Sequence, residues 1–275
     1  MRRTTAAAAT LVVLATSFAV PGQAQIPGRL RRVLEGAGNV ARTLLPISTS
    51  KEVEIGRGIA ATIAGRYPVS TDTALTIYVN LVGLAVAGEA PRPDIDYRFA
   101  VLETPDVNAF AAPGGYIFIT RGALDLIESE AELAAVLAHE VGHVNRRHVI
   151  EQIRRSDAMR AVRSETGLEG SQLDRVIGGG ANVLFMGLSR TDEAEADSIG
   201  VELAYAAGYD PGGLAAFVSR LESHGAENRL LELRASHPAP QLRLETIQRV
   251  IRNRGFSGGE TLADRLRNFV PRRGG

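Results

Sequence analysis

The sequence predicts an α+β fold, mostly helical, with a small β-sheet or hairpin packed beside one central helix. Three observations carry this. Apolar residues recur at helical intervals along most of the 275 residues. The period drops to two only between Tyr97 and Thr120. The helix that follows Ser129 is apolar on so many sides that it belongs in the interior. With 45% hydrophobic residues the chain can fill one sizeable core or two small ones.

Taken in order, residues 1–24 read as a secretory signal peptide. Arg2 and Arg3 form its basic start, Ala6 to Val20 its apolar core and Gly22-Gln23-Ala24 the small residues at a cut before Gln25. The competing readings are a retained anchor or a buried N-terminal helix, but the apolar run is short for a bilayer span. Residues 25–50 form a lead-in, interrupted by Pro27, Gly28, Gly36, Gly38 and Pro46, with a basic patch at Arg29, Arg31 and Arg32. It reads either as a short amphipathic helix or as a loosely held segment.

Helices are expected from Lys51 to Tyr67 and from Thr71 to Ala87, with Pro91 and Pro93 ending the pattern. Strand-like segments follow at Tyr97–Leu102, Val107–Ala112 and Tyr116–Thr120. Ala112-Pro113-Gly114-Gly115 joins the last two in the manner of a type II turn. Ser129 to Glu132 has the spacing of a capping box opening the central helix. Arg154 to Gly170 reads as an exposed loop or frayed helix, and Gly178-Gly179-Gly180 as a flexible break before a helix from Ala181 to Leu188. A helix from Arg190 to Ala207 is stopped by Gly208 and Pro211. Pro238 and Pro240 open a last helix reaching Ile251, and residues 254–275, rich in glycine and arginine, read as a flexible tail. Residues 51–253 therefore carry the folded domain.

Composition excludes several classes. Net charge is zero and no long basic run marks a nucleic-acid surface. Cysteine is absent, which rules out disulfides, a lipid anchor on cysteine and any thiolate metal site. No stretch after residue 24 approaches 18 uninterrupted apolar residues, so no stable membrane insertion is expected once the leader is removed. Among 31 basic residues only Lys51 is a lysine, the codon signature of a GC-rich bacterial genome. The expected location is periplasmic or secreted.

The chemistry concentrates at His139-Glu140-Val141-Gly142-His143. Imidazoles four apart on a helix stand one above the other and can reach one zinc ion. Glu140, about 100° around the helix, can lean over the same cleft as a proton acceptor. A catalytic zinc site takes three protein ligands and keeps one position open. The third is sought in Ser189–Asp197, where Glu193 and Asp197 share a helix face. One carboxylate can bind the metal while the other fixes an imidazole by a hydrogen bond, and from the residues alone either can play either part. Glu195, about 200° from Glu193, should point away. His148, about 180° around a continuing helix from His139, is rejected as a ligand, and His224 is taken as a surface residue.

HExxH followed by SRxxExxAD resembles the zinc metalloendopeptidase family of the CAAX prenyl proteases and their bacterial relatives, with the soluble periplasmic members most alike. Asn108-Ala109 through Pro113-Gly114-Gly115 resembles the family's NAxxxPGG strand. Arg121 to Leu124 sits where that strand leads into a short helix, and His237-Pro238 with Arg243 resembles its HPxxxxR element. The likeness runs from about Lys51 to Asn253. It implies a zincin-type fold, one zinc ion held by His139, His143 and Glu193, and Glu140 as catalytic base. It places Asp197 behind the ligands.

Other positions follow from the same two lines of reading. Asn108, Ala109, Phe110 and Ala111 could be a sheet edge on which an extended substrate adds as a strand, or part of a core hairpin. His237 could stabilise an oxyanion, occupy the metal's open position at rest, or be an ordinary loop histidine. Arg190 and Arg243 could orient carboxylates. The expected function is zinc-dependent hydrolysis of peptide bonds in unfolded or misassembled envelope proteins. The alternatives are a zinc-containing chaperone or binding module, and a purely structural zinc. An intact glutamate between the histidines argues against both, since neither needs a base.

Overall fold

The computed structural model describes residues 47–155, 169–224, 227–237 and 240–271. The expected signal peptide, nearly all of the lead-in with its basic patch, and most of the polar stretch from Arg154 to Gly170 lie outside the described residues. Among the described residues no helix is long and apolar enough to cross a membrane.

Helices α1 (Thr49–Arg66) and α2 (Thr73–Ala87) come first. Ser48 caps one by accepting from the Lys51 N–H and Asp72 caps the other by accepting from the Leu75 N–H. Strands β1 (Arg98–Leu102), β2 (Ala109–Ala112) and β3 (Tyr116–Thr120) form one sheet in the order β1-β3-β2. β3 runs parallel to β1 and antiparallel to β2. Pro113-Gly114-Gly115 closes the β2–β3 hairpin with Gly114 at φ 73° and Gly115 at φ 90°, a conformation glycine adopts at little cost. A Cβ on Gly114 would come within 2.6 Å of the Val53 Cα, so the hairpin tip rests directly on α1.

Both faces of the sheet are buried, and the alternation along the strands sorts them. Ala109, Ala111, Ile117 and Ile119 join the larger core, with α2 and the central helix. Leu102, Phe110 and Phe118 join a second core with α1 and two later helices. The expected small sheet beside a central helix is therefore present.

From β3 the chain passes through α3 (Arg121–Leu126) into the central helix α4 (Glu130–Asn145), whose residues Glu130 to Val144 are all buried. Only half of the expected capping box forms. Ser129 accepts from the Glu132 N–H, but the Glu132 carboxylate turns to the Glu128 N–H and to Arg220, because a guanidinium is a stronger partner than an amide. α4 stops at Asn145, Arg147 takes a left-handed conformation at φ 58°, and α5 (His148–Arg155) starts on a new axis. The expectation that His148 continues the α4 helix on its far side is thus overturned.

α6 (Glu169–Met186) runs unbroken through Gly178-Gly179-Gly180, where a flexible break was expected. A Cβ at Gly180 would lie 2.3 Å from the Ile59 Cδ1, and one at Gly58 equally close to Ile177. Gly180 and Gly58 make room for the Ile59 and Ile177 side chains between α6 and α1, and that burial offsets the helix penalty of about 1 kcal/mol per glycine. α7 (Arg190–Ala206) opens on a full capping box between Ser189 and Asp192. α8 (Gly213–Ser223), α9 (Leu231–Ser236) and α10 (Pro240–Arg254) follow.

The expected flexible tail also proves different. α11 (Ala263–Phe269) buries Leu266 and stacks Phe269 on Tyr78 with ring centroids 4.5 Å apart. Arg265 pairs with the buried Glu130 at the start of α4. Leu262, Leu266 and Val270 keep a helical spacing that the glycine and arginine around them obscures.

Candidate metal centre

α4 and α7 cross with their backbones almost touching, and two glycines make this possible. A Cβ on Gly200 would lie 2.9 Å from the His139 backbone N, and one on Gly142 would lie 3.2 Å from the Ala196 carbonyl O. Gly142, in mid-helix at a cost of about 1 kcal/mol, permits this close approach of the Glu193 helix. The crossing brings α7 carboxylates to the α4 imidazoles in a buried space, with His139, Glu140, His143, Glu193 and Asp197 each 3% exposed or less.

His139 Nε2 and His143 Nε2 are 3.0 Å apart. Glu193 Oε2 is 3.7 Å from the first, and Glu193 Oε1 is 3.4 Å from the second. His237, at the end of α9, directs Nδ1 to Glu193 Oε2 at 2.9 Å. One donor atom from each of His139, His143, Glu193 and His237 lies within 4.8 Å of all the others. Asp197 stands behind this group: its Oδ1 is 2.9 Å from His139 Nδ1, and Arg243 grips the carboxylate with Nη2 at 2.7 Å and Nε at 3.1 Å. Geometry therefore divides the roles that the residues alone left open, with Glu193 at the cluster and Asp197 behind it.

The hydrogen bonding sets the polarity. An ionised Asp197 only accepts, so His139 carries its proton on Nδ1 and presents a bare Nε2. His143 Nδ1 is 2.8 Å from His148 Nδ1, which leaves its Nε2 facing that of His139. Two imidazole nitrogens and a carboxylate oxygen then converge, with no proton on His139 Nε2 or on the carboxylate. Glu193 Oε1 is buried without a hydrogen-bond partner, a state that costs about 1–3 kcal/mol unless a cation or donor fills the gap. Ligand atoms around a tetrahedral ion bound at about 2.0–2.2 Å stand about 3.3–3.5 Å from one another. The separations between His139, His143 and Glu193, 3.0–3.7 Å, bracket that spacing.

The titration shifts fit as well. Burial, reinforced by His139, pushes His143 well below the ordinary histidine pKa, so it stays neutral. Burial works to raise Glu193, but His237, by charge and hydrogen bond, together with His143 and His139, holds it well below the usual carboxylate range. Burial lifts the Glu140 carboxyl against the pull of His237 and His139. His237 is raised: burial lowers it, and the charge and hydrogen bond of Glu193, then Glu140, outweigh that.

Other expected residues fall out as follows. β2, with Ala109, Phe110 and Ala111, is an edge strand, and its edge borders a narrow space shared with Glu140, His143, Leu184, Leu188 and Ser236. Asn108 precedes it, and its side-chain Oδ1 accepts from the Ala109 N–H and the Ser236 hydroxyl. That locks the amide and leaves Nδ2 buried without a partner. Asn108 also borders an apolar pocket beside His139 and Glu140, walled by Val136, Leu214, Phe217 and Leu233. Arg243 is buried at the site. Arg190 is exposed and borders a cleft that Glu193, Asp197 and Arg243 also line. His224 is partly exposed and bonded to Glu227. Glu195 does point out of the cluster, but it reaches His148 Nε2 at 3.1 Å.

Sequence reasoning missed Ser236, His148 and Glu195. Ser236 adjoins His237, which was the available signal. The other two had none, because the break at Arg147 carries neither glycine nor proline.

Comparison with known proteins gives an independent result. Residues 75–251 match the model of Peptidase family M48. The Beta-barrel assembly-enhancing protease of Escherichia coli (strain K12) is 27% identical over 214 residues, covering 72% of this chain and 43% of that protein. The Mitochondrial metalloendopeptidase OMA1 of Schizosaccharomyces pombe is 30% identical over 178 residues, covering 63% of this chain and 52% of that protein. Metalloprotease LoiP of Escherichia coli (strain K12) is 32% identical over 195 residues, covering 68% and 73% respectively. The chain thus spans less than half the length of the first of these relatives.

Proposed function

The chain belongs to Peptidase family M48, a metalloendopeptidase family, and from that premise we propose that it is an exported, zincin-type zinc metalloendopeptidase acting on unfolded or misassembled envelope proteins. The observation that carries the reading is the convergence of two imidazole nitrogens with the unpartnered Glu193 Oε1 in a buried space. His139, His143 and Glu193 would hold one zinc ion, leaving a position for substrate. Zinc, when bound, supplies a Lewis acid that polarises a scissile carbonyl and acidifies water.

The rest is the work of side chains. Glu140, raised by burial, accepts the proton of the attacking water and returns it to the departing amine. His237 Nε2, 3.8 Å from Glu140 Oε1, is the candidate donor to the oxyanion. Asp197 and Arg243 keep His139 in the right tautomer. The substrate backbone pairs with the edge of β2, and Asn108 Nδ2 donates to one of its carbonyls. Leu184, Leu188 and Ser236 cover that edge, so a loosely folded polypeptide enters as they shift.

Residues 1–24 act as the export signal, residues 51–253 carry the catalytic domain, and α11 completes its core. Periplasmic or secreted location and envelope quality control fit relatives named for β-barrel assembly. Within the family we read it as a soluble periplasmic relative of the CAAX prenyl proteases.

The test is cleavage of unfolded casein by the zinc-loaded chain. Cleavage is expected to stop on chelation and to fall about 10²–10⁴-fold in Glu140→Gln, with zinc still bound at one per chain. A Gln variant as fast as wild type removes Glu140 as the base. Suppression of aggregation without fragments selects the chaperone reading instead.

A further inference from the structure

We propose that His148 and Glu195 form a hydrogen-bonded relay that positions His143, as a counterpart on the second imidazole to the Asp197–Arg243 pair on the first. This rests on the reading of His143 as a metal ligand.

The relay has a direction. Glu195 lies beside the Arg146 guanidinium as an ion pair, and a carboxylate so paired can only accept. His148 Nε2, 3.1 Å from Glu195 Oε2, therefore donates. A neutral imidazole that donates from Nε2 has a lone pair on Nδ1. His143 Nδ1, 2.8 Å away, must then carry the proton, and His143 Nε2 is left bare toward His139 and Glu193. The two rings stand at 70° with centroids 5.0 Å apart, so His148 also limits rotation of His143 about its ring axis. His148 is 4% exposed, whereas Glu195 is only partly buried. The left-handed turn at Arg147 is what folds His148 back onto His143 and places Arg146 near Glu195. Nothing in this arrangement makes His148 a ligand. It is a positioning residue, and its effect passes through one hydrogen bond.

Two readouts on the full chain test the relay. In the metal-free protein, ¹⁵N-resolved imidazole spectra should show His143 as the Nδ1–H tautomer. His148→Phe should turn it into a mixture of tautomers, and His148→Gln, whose amide can accept from His143 and donate to Glu195, should restore it. Zinc affinity by chelator competition should fall about 10–100-fold in His148→Phe and recover to within about threefold of wild type in His148→Gln. Glu195→Ala, at a partly exposed position, should weaken zinc several-fold and serves if His148→Phe does not fold. An unchanged tautomer together with zinc affinity within twofold of wild type, in His148→Phe or Glu195→Ala, overturns the relay while the metal site stands. A wild-type chain that binds no zinc overturns the metal site and the relay together.

Discussion

Asp197 shows how a buried charge is made tolerable. Burial alone would raise its carboxyl, yet the Arg243 charge and the hydrogen bond from His139 lower it, so it stays an acceptor at neutral pH. Removing it costs the buried Arg243 its hydrogen-bonded carboxylate and frees the His139 tautomer. Asp197→Ala should weaken zinc about 10–100-fold in chelator competition, more than any surface carboxylate. Asn108 makes a separate case, because its amide is locked by two donors while its own donor has no partner. If that donor serves substrate, Asn108→Ala should lower kcat/KM by about tenfold with zinc affinity unchanged, as initial rates and a parallel metal titration would show. Legibility differed sharply at this scale. HExxH, with Glu193 or Asp197 as its third partner, stands out because metal chemistry admits few residue types at that spacing. His148 and Glu195 were invisible because the turn that brings them in is made by Arg147, a residue with no turn preference.

Between elements, the α4–α7 crossing is held close by glycine. The two glycines are not equivalent. Alanine at Gly142 would meet Ala196 at 3.2 Å, a contact that a few tenths of an ångström relieves. Alanine at Gly200 would meet the His139 backbone at 2.9 and 3.0 Å, where only a shift of the helix helps. Each change gains about 1 kcal/mol of helix propensity, and overpacking costs about 1–3 kcal/mol. Gly142→Ala should therefore be near neutral in denaturant unfolding. Gly200→Ala should lose stability and, by spreading the helices, zinc affinity as well. Helices, strands and the hairpin turn were legible from periodicity and from Pro-Gly-Gly. The triple glycine in α6 was misread, since Gly180 receives the side chains of Ile59 and Ile153 from two other helices.

For the whole molecule, Glu130 ties three distant parts of the chain together. Its carboxylate, 1% exposed, takes hydrogen bonds from Tyr78 on α2 and Tyr209 beyond α7, and pairs with Arg265 on α11. Burial raises its pKa, but Arg265, Tyr209 and Tyr78 together bring it below the ordinary value. A depressed carboxylate stabilises the fold fully above the unfolded pKa of about 4.3 and loses that contribution as pH falls through the lower folded value. Wild type should thus lose stability below about pH 4.3 more steeply than Glu130→Gln, as chemical denaturation across that range would show. Deleting residues 255–275 removes Arg265, Leu266 and the Phe269–Tyr78 stack. It should lower Tm by several degrees, which a truly loose tail would not do.

The sequence by itself determined that this is a mostly helical chain with a small sheet, and that two histidines and a glutamate of one helix face a common point. Those properties depend on neighbours within a turn or two, and such short-range relations are written in residue order. Tertiary structure decided that Glu193 faces the Nε2 atoms of both imidazoles while Asp197 meets Nδ1 of one, that His148 returns to His143, and that residues 263–270 close the core. Each of those depends on how closely two backbones approach or where a chain reverses, and such distances are set by packing between segments far apart in the sequence.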